Sequence, residues 1–306
     1  MKRISFVIPV FRNERAVTMT YRQIRQVLAG DLPHYAYEVV FIDDGSDDGS
    51  LDELLAIRRD DENVRVVSFT RNFGQMAAIL AGFKQAAGDL LIQLSADLQD
   101  PISLVPQMVA EYERGSEVVA CHREHREDGV SRQVTSRALY GILRLSYPQI
   151  PAGGFDYILL DRKVVDAFNA VEVRNRFFQG DILWFGFKTT FIPYTRVKRE
   201  IGTSQYTFAK RLKNSLDAIL DSSYLPIRFI SLVGVLTAFI GFLYAVDIVY
   251  GRLRHDIPFT GWAPIMILIL VIGGVLMLML GIIGEYVWRI YDEVKGKPNY
   301  VVRRVY

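Results

Sequence analysis

The sequence predicts an α/β domain built on a mostly parallel sheet, followed by a two-helix transmembrane hairpin. Three observations carry this expectation. Short apolar runs recur through the first two thirds, with helically spaced stretches between them. Polar clusters follow those runs. Two long, almost uncharged segments fill the last third.

The strands are expected at Ile4–Val10, Glu38–Asp43, Val64–Phe69 and Leu90–Leu94, and helices at Glu14–Leu28 and Asn72–Ala87. Strands that alternate with helices are covered on both faces, which favours parallel pairing. Ligands of such sheets bind beyond the carboxyl ends of the strands. The polar clusters fall there: Phe11-Arg12-Asn13-Glu14, then Asp43-Asp44-Gly45-Ser46, then Ser95-Ala96-Asp97. No G-x-G-x-x-G follows the first strand and no G-x-x-x-x-G-K-[ST] occurs, so neither a dinucleotide fold nor a P-loop is supported.

Composition changes near Tyr224. Ile227 to Tyr250 carries only Arg228 and Asp247 as charges, and Pro264 to Ile283 carries none. At about 1.5 Å rise per residue, each run is long enough to cross a hydrocarbon core of roughly 30 Å. The second helix is expected to continue to Trp288. The alternative is a pair of core helices in a large soluble domain, which uncharged runs of this length disfavour. Lys210, Arg211, Lys213 and Arg228 flank the first span, and Arg289, Lys295, Lys297, Arg303 and Arg304 follow the second. The connecting turn holds fewer basic residues, so both ends of the hairpin, and the domain with both termini, are expected in the cytoplasm. Three segments follow: a catalytic domain over 1–206, an amphipathic interface helix region over 207–226, and the two spans, about 227–250 and 264–288, with a basic tail, over 227–306. Residues 207–225 also read as a surface helix of the soluble domain.

A formal net charge of +2 lacks the strong basic excess of a nucleic-acid binder, and one cysteine, Cys121, leaves no internal disulfide. The apolar run after Met1-Lys2-Arg3 is too short for a signal peptide.

The acidic cluster at 43–50 can accept hydrogen bonds from a base or a ribose, or can serve as a turn and N-cap through Asp48 or Ser50. Asp97 and Gln99 are oxygen ligands suited to Mg²⁺ or Mn²⁺, while Asp100-Pro101 has the form of a helix start with Asp as N-cap.

In this order, Pro9-Val10-Phe11, Asp43-Asp44-Gly45-Ser46, Arg71-Asn72-Phe73-Gly74, Ala96-Asp97-Leu98-Gln99-Asp100-Pro101, Arg199-x-x-Gly202-x-Ser204 and Gly284-Glu285-Tyr286 resemble glycosyltransferase family 2 of the GT-A fold. The resemblance covers nearly the whole chain. It is closest to the polyprenyl-phosphate sugar transferases. It implies inverting transfer of one sugar from a nucleotide donor, a UDP-sugar, to undecaprenyl phosphate at the cytoplasmic membrane, for modification of a cell-envelope glycan.

By position it implies that Pro9, Phe11, Glu14 and Asp44 cradle the nucleoside, and that Asp97 and Gln99 hold the metal. Arg199 would meet the diphosphate, and Arg123, Arg132 and Ser136 would grip the acceptor phosphate. Asp97, Asp156 and Arg199 are the catalytic candidates. A phosphate monoester is largely ionised at neutral pH, with a second pKa of about 6. Asp156 is therefore expected to position a sugar hydroxyl or a basic residue rather than act as a base. Homo-oligomerisation as a tetramer is implied by the resemblance alone.

Ser95 stands where the family usually has the first Asp of Asp-x-Asp, and Gln205 where it usually has Lys. Both remove charge on the donor side, which also admits a degenerate scaffold. A processive polysaccharide synthase would need a Q-x-x-R-W motif and further spans, and neither is present.

Overall fold

The computed structural model describes residues 1–123, 140–141, 143–151, 153–171, 173, 176–195, 225–255 and 262–306. The chain divides into two compact units: Met1–Ser222 with Pro298–Tyr306, and Ser223–Lys297.

The first unit alternates strands and helices as its apolar pattern requires. β1 (Arg3–Val10), α1 (Ala16–Gly30), β2 (Ala36–Asp43), α2 (Ser50–Asp60), β3 (Val64–Phe69), α3 (Gln75–Gln85) and β4 (Leu90–Gln93) form its first half. A short 3₁₀ turn at Ile102–Leu104 leads to α4 (Val105–Glu113). Then come β5 (Val118–Arg123), β6 (Phe155–Asp161), α5 (Arg162–Ala170), α6 (Phe178–Trp184) and β7 (Thr189–Tyr194). The sheet order is β7-β5-β6-β4-β1-β2-β3, and an eighth strand, β8 (Val302–Val305), follows β3 at the edge. β1 pairs in parallel with β2 and β4, and β2 with β3, whereas β6 runs antiparallel to both β4 and β5.

Both sheet faces are covered, which is why the central strands are continuously apolar. One face packs Phe6, Ile8, Val39 and Phe41 under α1, α2 and α4 through Val17, Ile24, Leu54 and Met108. The other packs Val7, Val40, Ile42 and Leu91 under α3, α5 and α6 through Ala78, Phe83, Phe168, Phe178 and Ile182.

The sequence reading made 298–306 a basic tail of the membrane unit, and here the structure differs. Val302–Val305 pairs antiparallel with β3, Tyr300 stacks on Phe69 at 5.0 Å between ring centroids, and Arg303 donates to the Thr70 carbonyl at 3.0 Å. The strand's four residues, Val-Arg-Arg-Val, are all exposed, and charged side chains on an open strand suit a sheet edge. The charges alone masked the strand.

The second unit contains α7 (Leu225–His255) and α8 (Trp262–Val294), each extending past the expected bounds. Within them, Ile227–Tyr244 and Val271–Val294 are apolar enough to cross a membrane and are 6% and 0% buried. Two helices exposing Phe229, Phe239, Leu243, Leu276 and Leu280 to solvent are not the core pair of a soluble domain. They mark the chain as membrane-associated. The interface helix expected at 207–226 lies, but for its last two residues, outside the described residues.

Candidate functional site

Strand register brings the polar clusters to one edge. Val10 and Asp43 end β1 and β2 side by side, and Gln93, which ends β4, pairs with Val7 of β1 and with Ile158 of β6. Two residues beyond that last pair lie Ser95 on one chain segment and Asp156 on the other. His122 of β5 faces Phe155 of β6, and Arg123 faces Tyr194 of β7. Because β6 is antiparallel, its amino end meets the carboxyl ends of its neighbours, which is where ligands of such sheets bind.

Backbone strain gathers here too. Among the described residues, Arg12, Arg15 and Leu98 are the non-glycine residues with positive φ, at 53°, 70° and 60°. All three lie in the loops after β1 and β4. Such strain persists only where surrounding bonds hold it. The loop after β1 is held by the loop after β2: Ser46 Oγ accepts from the Arg12 amide at 3.1 Å, and Ser50 Oγ from the Asn13 amide at 2.9 Å. Arg12 also forms a bidentate pair with Asp47 at 2.6 Å.

Asp44 is buried, and its two carboxylate oxygens accept from the amides of Phe73 and Gly74 at 2.7 and 2.9 Å. The acidic cluster thus fastens the Arg71–Gly74 loop. Burial raises the Asp44 carboxyl above its usual range, opposed by those two amides. Gly45, at φ +68°, makes the approach possible, since an added Cβ would stand 2.5 Å from the Arg71 carbonyl carbon. Pro9 and Phe11 are half-buried beside this latch and Glu14 is exposed, its carboxyl group against Gly49. Asp48 Oδ1 accepts from the Ser50 amide at 3.1 Å, as the turn reading expected, while Gly49 occupies the cap position of α2.

In the Ser95–Asp100 loop, Asp97 is 8% exposed and accepts from the Gln99 amide at 3.2 Å. Asp100 is not a helix N-cap, contrary to the sequence reading. It is buried, accepts the Tyr194 hydroxyl at 3.0 Å and the Ser95 amide at 3.2 Å, and so folds the loop back on itself. Pro101 takes the cap position of the 3₁₀ turn. Among the described residues no three His, Cys, Asp or Glu side chains come together as a metal site. One carboxylate with neutral oxygens from Gln99 and Ser95 still fits Mg²⁺ or Mn²⁺, which take their remaining ligands from substrate phosphates and water.

Across the edge, Arg123 donates to Asp156 at 3.0 Å, the arginine side chain 17% and the aspartate 51% exposed. Burial works against the Arg123 charge, but Asp156, the Tyr194 hydroxyl and Asp100 more than restore it. Gln179 donates to the Phe155 carbonyl at 2.8 Å and reaches Asp156 at 3.4 Å. Gly154, at φ +68°, leaves room for Gln179 and the Tyr140 hydroxyl, both of which a Cβ would overlap. Burial pushes the neighbouring Cys121 thiol up to about 12, so it is inert as a nucleophile. Arg132, Ser136, Arg199 and Gln205 lie outside the described residues. The sequence reading did not single out Asp100, Tyr194 or Gln179 as site residues. A tyrosine and a glutamine carry no motif, and only strand pairing reveals what they face.

A mostly parallel sheet in which β6 and β8 run antiparallel, with an acidic loop after β2 and a second after β4, is a Rossmann-like scaffold of the GT-A type. A model of glycosyl transferase family 2 matches residues 5–168, and the chain belongs to that family. It is therefore a glycosyltransferase. Relatives match along the full length. The SfII prophage-derived bactoprenol glucosyl transferase of Shigella flexneri is 34% identical over 304 residues, covering 99% of this chain and 98% of that one. The uncharacterized glycosyltransferase YkcC of Bacillus subtilis (strain 168) is 36% identical, covering 99% and 94%. The fold matches glucosyl-3-phosphoglycerate synthase of Mycobacterium tuberculosis, solved with Mn²⁺, uridine diphosphate and phosphoglyceric acid. The TM-score is 0.54 at 17% identity, over 71% of this chain and 76% of that one.

Proposed function

We propose that the chain transfers a single sugar from a nucleotide donor, a UDP-sugar, to the phosphate of a polyprenyl lipid such as undecaprenyl phosphate, with inversion. The observation that carries this reading is the 34% identity to a bactoprenol glucosyl transferase across 99% of the chain, spanning the sheet domain and the apolar helices alike. The helices would keep the site beside lipid headgroups, and the basic residues after α8 favour placing both ends of the hairpin in the cytoplasm. The product would be a lipid-linked sugar used in cell-envelope glycan modification.

In this mechanism Pro9, Phe11, Glu14 and Asp44 cradle the nucleoside, with the Arg71–Gly74 loop held against them. An oxygen of the acceptor phosphate attacks the anomeric carbon as the bond to the diphosphate breaks, and the electron pair leaves with UDP. No general base is needed, because the acceptor is already an anion. Arg123, with Arg132 and Ser136, holds that phosphate, since guanidinium groups bind phosphate in bidentate fashion. Asp156 orients Arg123, and Arg199 faces the departing diphosphate. Asp97 with Gln99 would hold Mg²⁺ or Mn²⁺, which when bound neutralises charge on the diphosphate. The Mn²⁺ and uridine diphosphate of the mycobacterial synthase support that assignment by fold.

Purified full-length protein in lipid nanodiscs, given Mn²⁺, undecaprenyl phosphate and a panel of labelled nucleotide sugars, should label the lipid from one donor. Labelling from none would refute the reading and favour the scaffold alternative.

A further inference from the structure

We infer that Tyr194 and Asp100 are positioning residues that couple the donor half of the site to its acceptor half. This rests on the function proposed above and gives site roles to two residues, Asp100, which the Ala96–Pro101 motif contains without such a role, and Tyr194, which lies in no motif. The hydrogen-bond directions make one chain. Tyr194 donates its hydroxyl hydrogen to Asp100 Oδ1 at 3.0 Å, so its oxygen is left as an acceptor. Arg123, the partner of Tyr194 in the parallel β5–β7 register, lies beside it, and its charge works against the rise that burial imposes on the Tyr194 hydroxyl. The other end of Asp100 accepts the Ser95 amide at 3.2 Å, which sets the start of the loop carrying Asp97 and Gln99. The far side of Arg123 is bound to Asp156 at 3.0 Å.

Thus Asp156, Arg123, Tyr194, Asp100 and Ser95 connect β6, β5, β7 and the loop after β4, by the bonds Asp156–Arg123, Tyr194–Asp100 and Asp100–Ser95 and by the register neighbours Arg123 and Tyr194. Asp100 and Tyr194 are 3% and 6% exposed, so water competes little with the bond between them. A buried carboxylate that loses the tyrosine hydroxyl loses one of the bonds that fix it, and the loop would shift in response. The register of Asp97 toward the donor therefore depends on where Arg123 sits, and the reverse holds by linkage.

The test reads donor binding alone, so it does not require turnover. Calorimetry gives the affinity for UDP with Mn²⁺ present in wild-type protein, Arg123→Lys, Tyr194→Phe and the double variant. Arg123 lies on the acceptor side, yet Arg123→Lys should weaken UDP by about three- to tenfold through the chain. In the Tyr194→Phe background the same change should have less than about a twofold effect, the non-additivity expected of residues sharing one network. Asp100→Asn cuts the chain at its other end and should abolish the Arg123→Lys effect equally, which keeps the test open if Tyr194→Phe fails to fold. An Arg123→Lys effect that is absent in the wild-type background, or that survives both cuts, overturns the coupling. Wild-type protein that binds UDP and makes lipid-linked sugar but shows no coupling sinks this inference alone. Protein that binds no UDP sinks both.

Discussion

Replacing Gly45 by alanine perturbs the donor loop without touching a charged group. Its added Cβ would stand 2.5 Å from the Arg71 carbonyl carbon, 2.7 Å from Arg71 Cα and 2.8 Å from the Asn72 nitrogen. All three are backbone atoms, so no rotamer change relieves them, and reaching an ordinary 3.4 Å contact requires a shift of about 0.9 Å. That displacement pulls Phe73 and Gly74 from Asp44, whose two bonds are each worth about 1.5–3 kcal/mol as bonds to a charged acceptor. The positive φ costs a further ~1–2 kcal/mol for a residue with a side chain. Relaxation recovers part of this, so about 3 kcal/mol of domain stability and at least tenfold in UDP affinity should be lost. Gly45→Asn separates the causes, because asparagine tolerates the left-handed region but brings the same Cβ. Denaturant unfolding and UDP calorimetry on both variants read the outcome. If asparagine restores the wild-type values, backbone angle and not close approach governs the position, and the steric reasoning is wrong.

Three further outcomes are expected. Asp97→Ala should lower product formation by at least a hundredfold and remove its response to added Mn²⁺; a variant still stimulated by the metal would place the ligand elsewhere. Tyr300→Ala should cost about 2 kcal/mol in unfolding measurements, because the ring stacked on Phe69 pins the β8 edge; unchanged stability would show that the strand docks without it. Asp61 accepts from Tyr21 at 2.6 Å, Tyr37 at 2.7 Å and the Asn63 amide at 2.9 Å, remote from the site. Burial would raise its carboxyl, but Tyr21, Asn63 and Arg25 draw it below the usual range. Its contribution is thus present above the ordinary carboxylate pKa near 4 and lost as pH falls through the lowered folded value. Asp61→Asn should destabilise by about 1–3 kcal/mol at pH 7, with the difference closing as pH falls below the ordinary carboxylate range and kcat unaffected.

The first four strands were legible because each is buried on both faces and reads as an unbroken apolar run between turn residues. α7 and α8 were legible because uncharged runs of their length have few other uses. The loops carrying Asp44 and Asp97 were legible as motifs, but what their carboxylates do was not. Asp44 spends both oxygens on amides some thirty residues away, and Asp100 faces Tyr194, so partners that far along the chain leave no local pattern. The C-terminal strand was hidden for a different reason. In Val301-Val302-Arg303-Arg304-Val305 the charges suggest a membrane flank, and only pairing with β3 reveals the segment as a strand.

The most direct test of a lipid-phosphate acceptor offers the full-length protein a labelled donor with equal amounts of undecaprenyl phosphate and undecaprenol. The label should enter the phosphate-bearing lipid alone, and Arg123→Ala should raise the KM for that lipid at least tenfold while shifting the donor KM by no more than the roughly three- to tenfold expected of the coupling. Label on the alcohol, or released only as free sugar, would contradict the account.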